Sequence, residues 1–353
     1  GLSVRIERSG AGAATIFVPP EAGSDRAIAL LERVAGGEAP PALGIAFFHL
    51  AATSSGWRYT PNSLVVLEPD WLFSVSDATQ FEYCERQRLV ALHVANPPGL
   101  PLLRGILVHQ LFPRLWRGCS EAELEEALAA ALAEQALKIG MAGLDPEAVA
   151  ADARRHLARL KRWADGLSKA SELVSETFRL APGWGLKGRI DAVWERPGRG
   201  PVLLGELKTG RSRGRRAARA ATASGEAEQG HLFQLVSYAA MVMGRGETGP
   251  DPLQACLLYS GNPELGGRQD LIRRVVLDIG TLRDAVAIRN RLVLLELGET
   301  PQTPAHPAAC AACRCARDCA TLGRLAGLPA VPAAPAVADP EQDPAGDPES
   351  RCF

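Results

Sequence analysis

Apolar positions along this chain change their period twice. From the start to about residue 72 they fall in short runs, Ser3–Glu7, Ala14–Val18, Leu43–Ala51 and Ser63–Leu67, separated by Gly, Pro, Ser and Asn. Apolar or alternating runs between turn residues predict strands, with one helical interruption over Asp25–Val34. From Ser76 the spacing becomes helical, predicting helices over Ser76–Ala91, Leu102–Trp116, Ser120–Ile139 and Asp145–Leu167. Ser120 with Glu123 three residues on forms a capping box, and Pro146 takes the first position of the fourth helix. The period then returns to two over Ser171–Leu180, Leu186–Glu195 and Pro201–Lys208, a β-meander with Pro/Gly turns. A helix over Glu226–Met243, strands over Leu253–Ser260 and Leu271–Leu277, and a helix over Thr281–Leu297 complete the pattern. From about Gly327 the chain is rich in Pro, Ala, Asp and Glu, a composition that does not build a core.

This succession divides the chain into a β-rich segment 1–72, an α/β unit 73–325 and a tail 326–353. Hydrophobic residues at 46% and charged residues at 22% are ordinary for a soluble globular protein. No apolar run approaches the ~18 residues that span a membrane. The start has no basic stretch followed by an apolar core, so no secretory signal is expected and the chain reads as cytoplasmic. A net charge of −1 does not decide for or against a nucleic-acid partner, but its distribution is informative. Lys208, Arg211, Arg213, Arg215, Arg216 and Arg219 follow one another with no intervening acid. A charge run alone is more often a solvated loop. Directly behind a candidate catalytic lysine, it favours phosphate contact instead.

That lysine belongs to Glu206-Leu207-Lys208, on the strand after the one that carries Asp191. Residues two apart on a strand share a face, so Glu206 and Lys208 are presented together, and a hairpin partner can bring Asp191 opposite them. Two carboxylates beside an ammonium suit phosphodiester hydrolysis with Mg²⁺ or Mn²⁺. Alone, such a triplet is more often a surface ion pair. Lysine is scarce here, however, with five Lys against 34 Arg, which makes Lys208 informative.

Four of eight cysteines, Cys310, Cys313, Cys315 and Cys319, crowd into ten residues. In a long chain without a secretion signal, this spacing points to metal or cluster ligation rather than disulfides. Cys310-x2-Cys313-x5-Cys319 offers three thiolates; Cys315 is the nearest candidate for the fourth, and zinc is a rival to iron–sulfur.

Taken in order, these features resemble the PD-(D/E)XK nucleases, in particular their RecB-like, iron–sulfur-containing branch, from about Leu64 to Leu322. That branch includes CRISPR-adaptation nucleases, a subunit of bacterial recombination machines and the nuclease half of a flap-trimming replication helicase–nuclease. The resemblance implies an α/β core, a mixed central sheet flanked by helices. It implies that His109, in Gly105-x-x-x-His109, joins Asp191, Glu206 and the Leu207 carbonyl around the metal. Gly185–Asp191 matches the family's G-x-x-D strand, and Gln234-x-x-x-Tyr238 matches the helix that supports the site and touches DNA. It also favours Cys84 as the fourth ligand of a structural 4Fe-4S cluster. Glu176, on the strand before Asp191, is expected behind the metal ligands. Taken alone, His109 reads as a core histidine, and Gln234 and Tyr238 as one face of an ordinary helix.

Val65–Ser76 resembles the lead-in to such nuclease domains, which implies an OB-like barrel over residues 1–72. No Walker A motif occurs, so no ATPase motor is expected in this chain. The preferred reading is a Mg²⁺/Mn²⁺-dependent deoxyribonuclease for single strands or flaps in repair, replication or recombination. The alternatives are a non-catalytic, cluster-stapled DNA-binding module, and a nuclease subunit working with a helicase or in CRISPR adaptation.

Overall fold

A computed structural model describes residues 2–8, 12–19, 28–29, 44–91, 98–165, 171–210, 224–244, 253–262, 264–265, 268–269, 272–301, 310, 313 and 315–328. The basic run Arg211–Arg219, most of the expected 25–34 helix and nearly all of the tail lie outside them.

The N-terminal strands are β1 (Leu2–Arg8), β2 (Gly12–Val18), β3 (Ile45–Phe48), β4 (Ala51–Thr53), β5 (Gly56–Arg58) and β6 (Leu64–Leu67). They form a four-stranded sheet in the order β1-β2-β5-β4 and a β3–β6 pair. Next come β7 (Phe73–Ser74), α1 (Val75–Tyr83), α2 (Glu85–Ala91), α3 (Leu100–Trp116), α4 (Glu121–Glu134), α5 (Ala136–Met141) and α6 (Pro146–Asp165). The meander is β8 (Glu172–Ala181), β9 (Leu186–Arg196) and β10 (Gly200–Lys208), followed by α7 (Ser224–Met243). Then follow β11 (Gln254–Tyr259), β12 (Glu264–Leu265), β13 (Arg268–Gln269), β14 (Ile272–Val275), α8 (Ile279–Glu296) and α9 (Ala316–Leu325).

The central sheet runs β14-β11-β10-β9-β7, with β8 also paired to β9. It is mixed because β10 and β11 are parallel, joined through α7, whereas β8, β9 and β10 are antiparallel. One face buries Ile190, Val193, Leu204 and Leu257 against α1, α7 and α8. The other buries Ala192, Trp194, Leu207 and Leu258 against α3, α4 and α6. A strand covered on both faces needs apolar side chains in both directions, so the strict alternation breaks down at Ala192–Trp194.

β9 has its two edges occupied differently. β8 runs along one edge from Leu186 to Glu195. The other is shared: β10 pairs with it from Ala192 onward, and β7 pairs in parallel with Leu186 and Lys187. Residues 188–191 lie in the gap between β10 and β7.

The N-terminal strands are tied to α8 by polar side chains. Asn290 donates to the Val65 carbonyl at 2.7 Å and accepts from Leu67 N–H at 3.0 Å. Arg289, buried on the same helix, reaches the carbonyls of Leu67, Glu68 and Trp71. Its guanidinium also packs on Gly185, which sits at φ 61°, so this turn excludes a side chain on two counts.

Candidate active site

The gap in the β9 edge is where the candidate residues meet. Pairing of β9 with β10 ends at Ala192–Gly205, one position short of Asp191 and Glu206. A side chain replaces the missing ladder bond: Asp191 Oδ2 accepts from Leu207 N–H at 2.8 Å. From the flanking helix α3, His109 Nδ1 lies 3.2 Å from Asp191 Oδ1 and 3.5 Å from Glu176 Oε1. α3 is held to α6 by the buried pair Arg104–Asp152 at 3.4 Å.

Glu176 reaches the site through an unusual backbone. Its φ of 52° is one of three positive values at non-glycine residues among those described. It stands opposite Asp191, at the one position in the β8–β9 ladder that forms no pair. A left-handed residue in a strand redirects its side chain away from simple alternation. Among the described residues, His109, Glu176 and Asp191 form the one trio of potential ligands whose donor atoms all lie within 4.8 Å of one another. Glu176, expected behind the candidate metal ligands, stands beside His109 and Asp191 instead.

Glu206 and Lys208 face α7. Lys208 Nζ is 2.9 Å from Glu206 Oε1 and donates to Gln234 Oε1 at 2.7 Å, and Gln234 Nε2 reaches Tyr238 Oη at 3.4 Å. Tyr238 lies on the bare backbone of Gly188, where a Cβ would stand 2.8 Å from its ring. Beyond Lys208, its carbonyl accepts from Ser260 N–H at 2.8 Å, and His156 Nδ1 lies 2.9 Å from Ser260 Oγ. This support comes from α6 and the residue after β11 and carries no sequence signal.

Electrostatics separates the two carboxyls. Burial opposes charge on Asp191, yet His109, Lys208 and the Leu207 N–H outweigh it and hold the carboxyl below its ordinary value. Glu206 is 1% exposed. Burial and the Asp191 charge push it up to about 8, against the pull of Lys208 and His109. Its Oε2 has no hydrogen-bond partner. Burial also disfavours imidazolium at His109, but Asp191, Glu176 and Glu206 push that group up to about 10. A buried carboxyl oxygen without a hydrogen-bond partner, within electrostatic reach of Asp191 and His109, suits a cation. The residues fit Mg²⁺ or Mn²⁺.

The second cluster lies where α2 and α9 meet. Among the described residues no disulfide joins the cysteines. Burial pushes the Cys84 thiol up to about 11, and Cys310 and Cys313 add to it. Cys313 is raised likewise by burial and by Cys315, Cys310 and Cys319. Val90 packs with Cys315 and Cys319. Cys84 thus lies within electrostatic reach of Cys310 and Cys313, and Cys313 of Cys310, Cys315 and Cys319. Cys256 is a buried core residue and Cys119 packs at the edge of the second core. Arg211, Arg213 and Arg215 fall outside the described residues.

The sequence model of the PD-(D/E)XK nuclease superfamily matches residues 72–320. No curated protein matches the chain. Among solved structures, a protein from Eubacterium rectale named "Putative exonuclease" aligns at 17% identity and a TM-score of 0.43, covering 70% of this chain and 88% of its own.

Proposed function

Because the chain belongs to the PD-(D/E)XK nuclease superfamily, we propose that it hydrolyses phosphodiester bonds in DNA, in single strands or flaps. The observation that supports this most is the convergence of His109, Asp191, Glu206 and Lys208 on the unpaired stretch of β9. His109, Asp191, Glu206 and the Leu207 carbonyl would hold Mg²⁺ or Mn²⁺, with Glu176 as a further donor. A divalent cation there supplies Lewis-acid activation of a phosphoryl oxygen and lowers the pKa of a water. Lys208, oriented by Glu206 and Gln234, positions the attacking water and offsets charge that builds on the phosphorane. Gln234 and Tyr238 keep Lys208 from turning into solvent.

Labelled single-stranded DNA with Mn²⁺ tests the assignment. Asp191→Ala and Glu206→Ala should each abolish cleavage and leave DNA binding in place. Cleavage retained by both variants refutes it.

We also infer that Cys84, Cys310, Cys313 and Cys319 hold a 4Fe-4S cluster of the RecB-like branch. Burial disfavours each thiolate of Cys84, Cys310 and Cys313, and several neighbouring thiols add to the strain, which ligation would relieve. Tetrahedral zinc, at a Zn–S distance of ~2.3 Å, holds its sulfurs ~3.8 Å apart. Four thiolates suit zinc as well as iron–sulfur, so metal content decides between them. Anaerobic purification should give about four irons per chain; zinc in their place would refute the cluster and leave the nuclease reading intact.

A further inference from the structure

The β8–β9 pair carries an exposed face that the metal site does not use. Phe178 is opposite Arg189, and Leu180 is opposite Lys187. Cross-strand partners share a face, and so do residues two apart, so these four side chains form one patch. Phe178 is 59% exposed and Leu180 46% exposed. Among the described residues β8 pairs only with β9, which makes it an edge strand. Large apolar side chains on an exposed edge strand invite aggregation unless they serve a binding purpose.

The patch also has a direction. Its rows are Leu180–Lys187, then Phe178–Arg189, and the next position along β9 on that face is Asp191 at the metal site. At ~3.3 Å per residue the Lys187 row lies ~13 Å from the Asp191 row. About four nucleotides span that distance at the ~3.4 Å stacked rise of one strand. Two cations interleaved with an aromatic and an aliphatic side chain match the surfaces that hold single strands: charge along the backbone and a ring for the bases.

We propose that single-stranded DNA lies along Phe178, Leu180, Lys187 and Arg189 on its way to the metal site. Phe178 stacks on a base, Leu180 extends the apolar floor, and Lys187 and Arg189 contact phosphates. The proposal rests on the nuclease reading above. Arg189 also lies 3.7 Å from Glu176, so variants there would disturb the metal site, and Phe178 and Lys187 are the positions to test.

The test measures binding of a fluorescent oligothymidine to the full chain without metal, beside hydrolysis of a p-nitrophenyl phosphodiester with Mn²⁺. The small ester reaches only the metal site. Phe178→Ala should weaken oligonucleotide binding roughly 5- to 150-fold, the range for one stacked base. Lys187→Ala should reduce the slope of log affinity against log salt by about 0.7, one phosphate contact. Ester hydrolysis should not change in either. Phe178→Trp should restore binding and add tryptophan quenching relative to wild type. Wild-type affinity and salt slope in both alanine variants overturn the track while leaving the nuclease reading in place. An equal Phe178→Ala loss on blunt duplex overturns the single-strand assignment. Oligonucleotide binding that depends on Phe178, in a wild-type chain hydrolysing neither DNA nor ester, supports the track and overturns the nuclease reading.

Discussion

Metal binding at the candidate site should expel about two protons per ion at neutral pH. In the metal-free protein Glu206 holds its proton up to about pH 8 and His109 holds one up to about pH 10. Coordination needs the carboxylate and the free ring nitrogen, so a cation must displace both. Apparent affinity should therefore rise ~100-fold per pH unit below about pH 8, and ~10-fold per unit from there to about pH 10. The same shifts set stability. Glu206, ordinarily at 4.5, and His109, ordinarily at 6.5, both bind protons more tightly in the folded chain. Their contributions are fully present below those ordinary values and are lost as pH rises through about 8 and about 10. The metal-free melting temperature should fall across that window, and the fall should be smaller in Glu206→Gln. The assay is calorimetric titration with Mn²⁺ near pH 7, repeated in buffers of different ionisation enthalpy. Wild type should release about two protons, and Glu206→Gln about one with weaker binding. Release near zero in wild type, or an unchanged count in Glu206→Gln, would mean that the ion does not displace these protons and that the site is misassigned.

Three other perturbations separate the parts of the molecule. Lys208→Met should keep Mn²⁺ affinity within a few-fold while turnover on DNA falls ~10²–10³-fold, as for the loss of one transition-state donor; undiminished turnover would remove Lys208 from the chemistry. Gly188→Ala places a Cβ 2.8 Å from the Tyr238 ring, and relief by displacing the ring should cost ~1–3 kcal/mol and lower turnover together. An unchanged melting temperature would contradict that packing. Cys84→Ser removes a link between positions 84 and 310, which in the chain-entropy view contributes up to ~5 kcal/mol. Iron should drop and thermal unfolding should shift well down, and full retention of both would exclude Cys84 as a ligand.

Much of the architecture was legible because each face of each element needs apolar side chains at its own period. The meander and the long helices fall within a few residues of their expected limits, and the Ser120–Glu123 capping box forms as read. The failures are local. One helix expected over 76–91 is broken at Cys84, and another over 120–139 at Gln135, because an apolar stripe continues in phase across a single non-helical residue. His49, at φ 55°, splits the expected 43–51 strand into β3 and β4. β7 is two residues long, too short for any period to register. α9 hides within the cysteine segment, where thiols take the place of the usual apolar residues.

The candidate site divides along the same line. Asp191, Glu206 and Lys208 were legible because two adjacent strands, each with a period of two, can present only certain positions together. What makes their placement useful lies in pairing. β10 leaves the β9 edge after Ala192, and β7 does not take it up until Lys187. Asp191 is thereby left to bond Leu207 N–H, and Glu206 keeps a buried oxygen with no partner. Glu176 was misplaced for a related reason: its left-handed backbone is an exception to alternation, which sequence periodicity cannot encode. Two of these features cost the fold something: the left-handed φ at Glu176 and the partnerless buried oxygen of Glu206. They share one location, and a bound cation would satisfy the carboxyl oxygen. A pairing break, a left-handed Glu176 and a partnerless Glu206 oxygen at one place are therefore a stronger argument for a metal site than any of the motif residues taken alone.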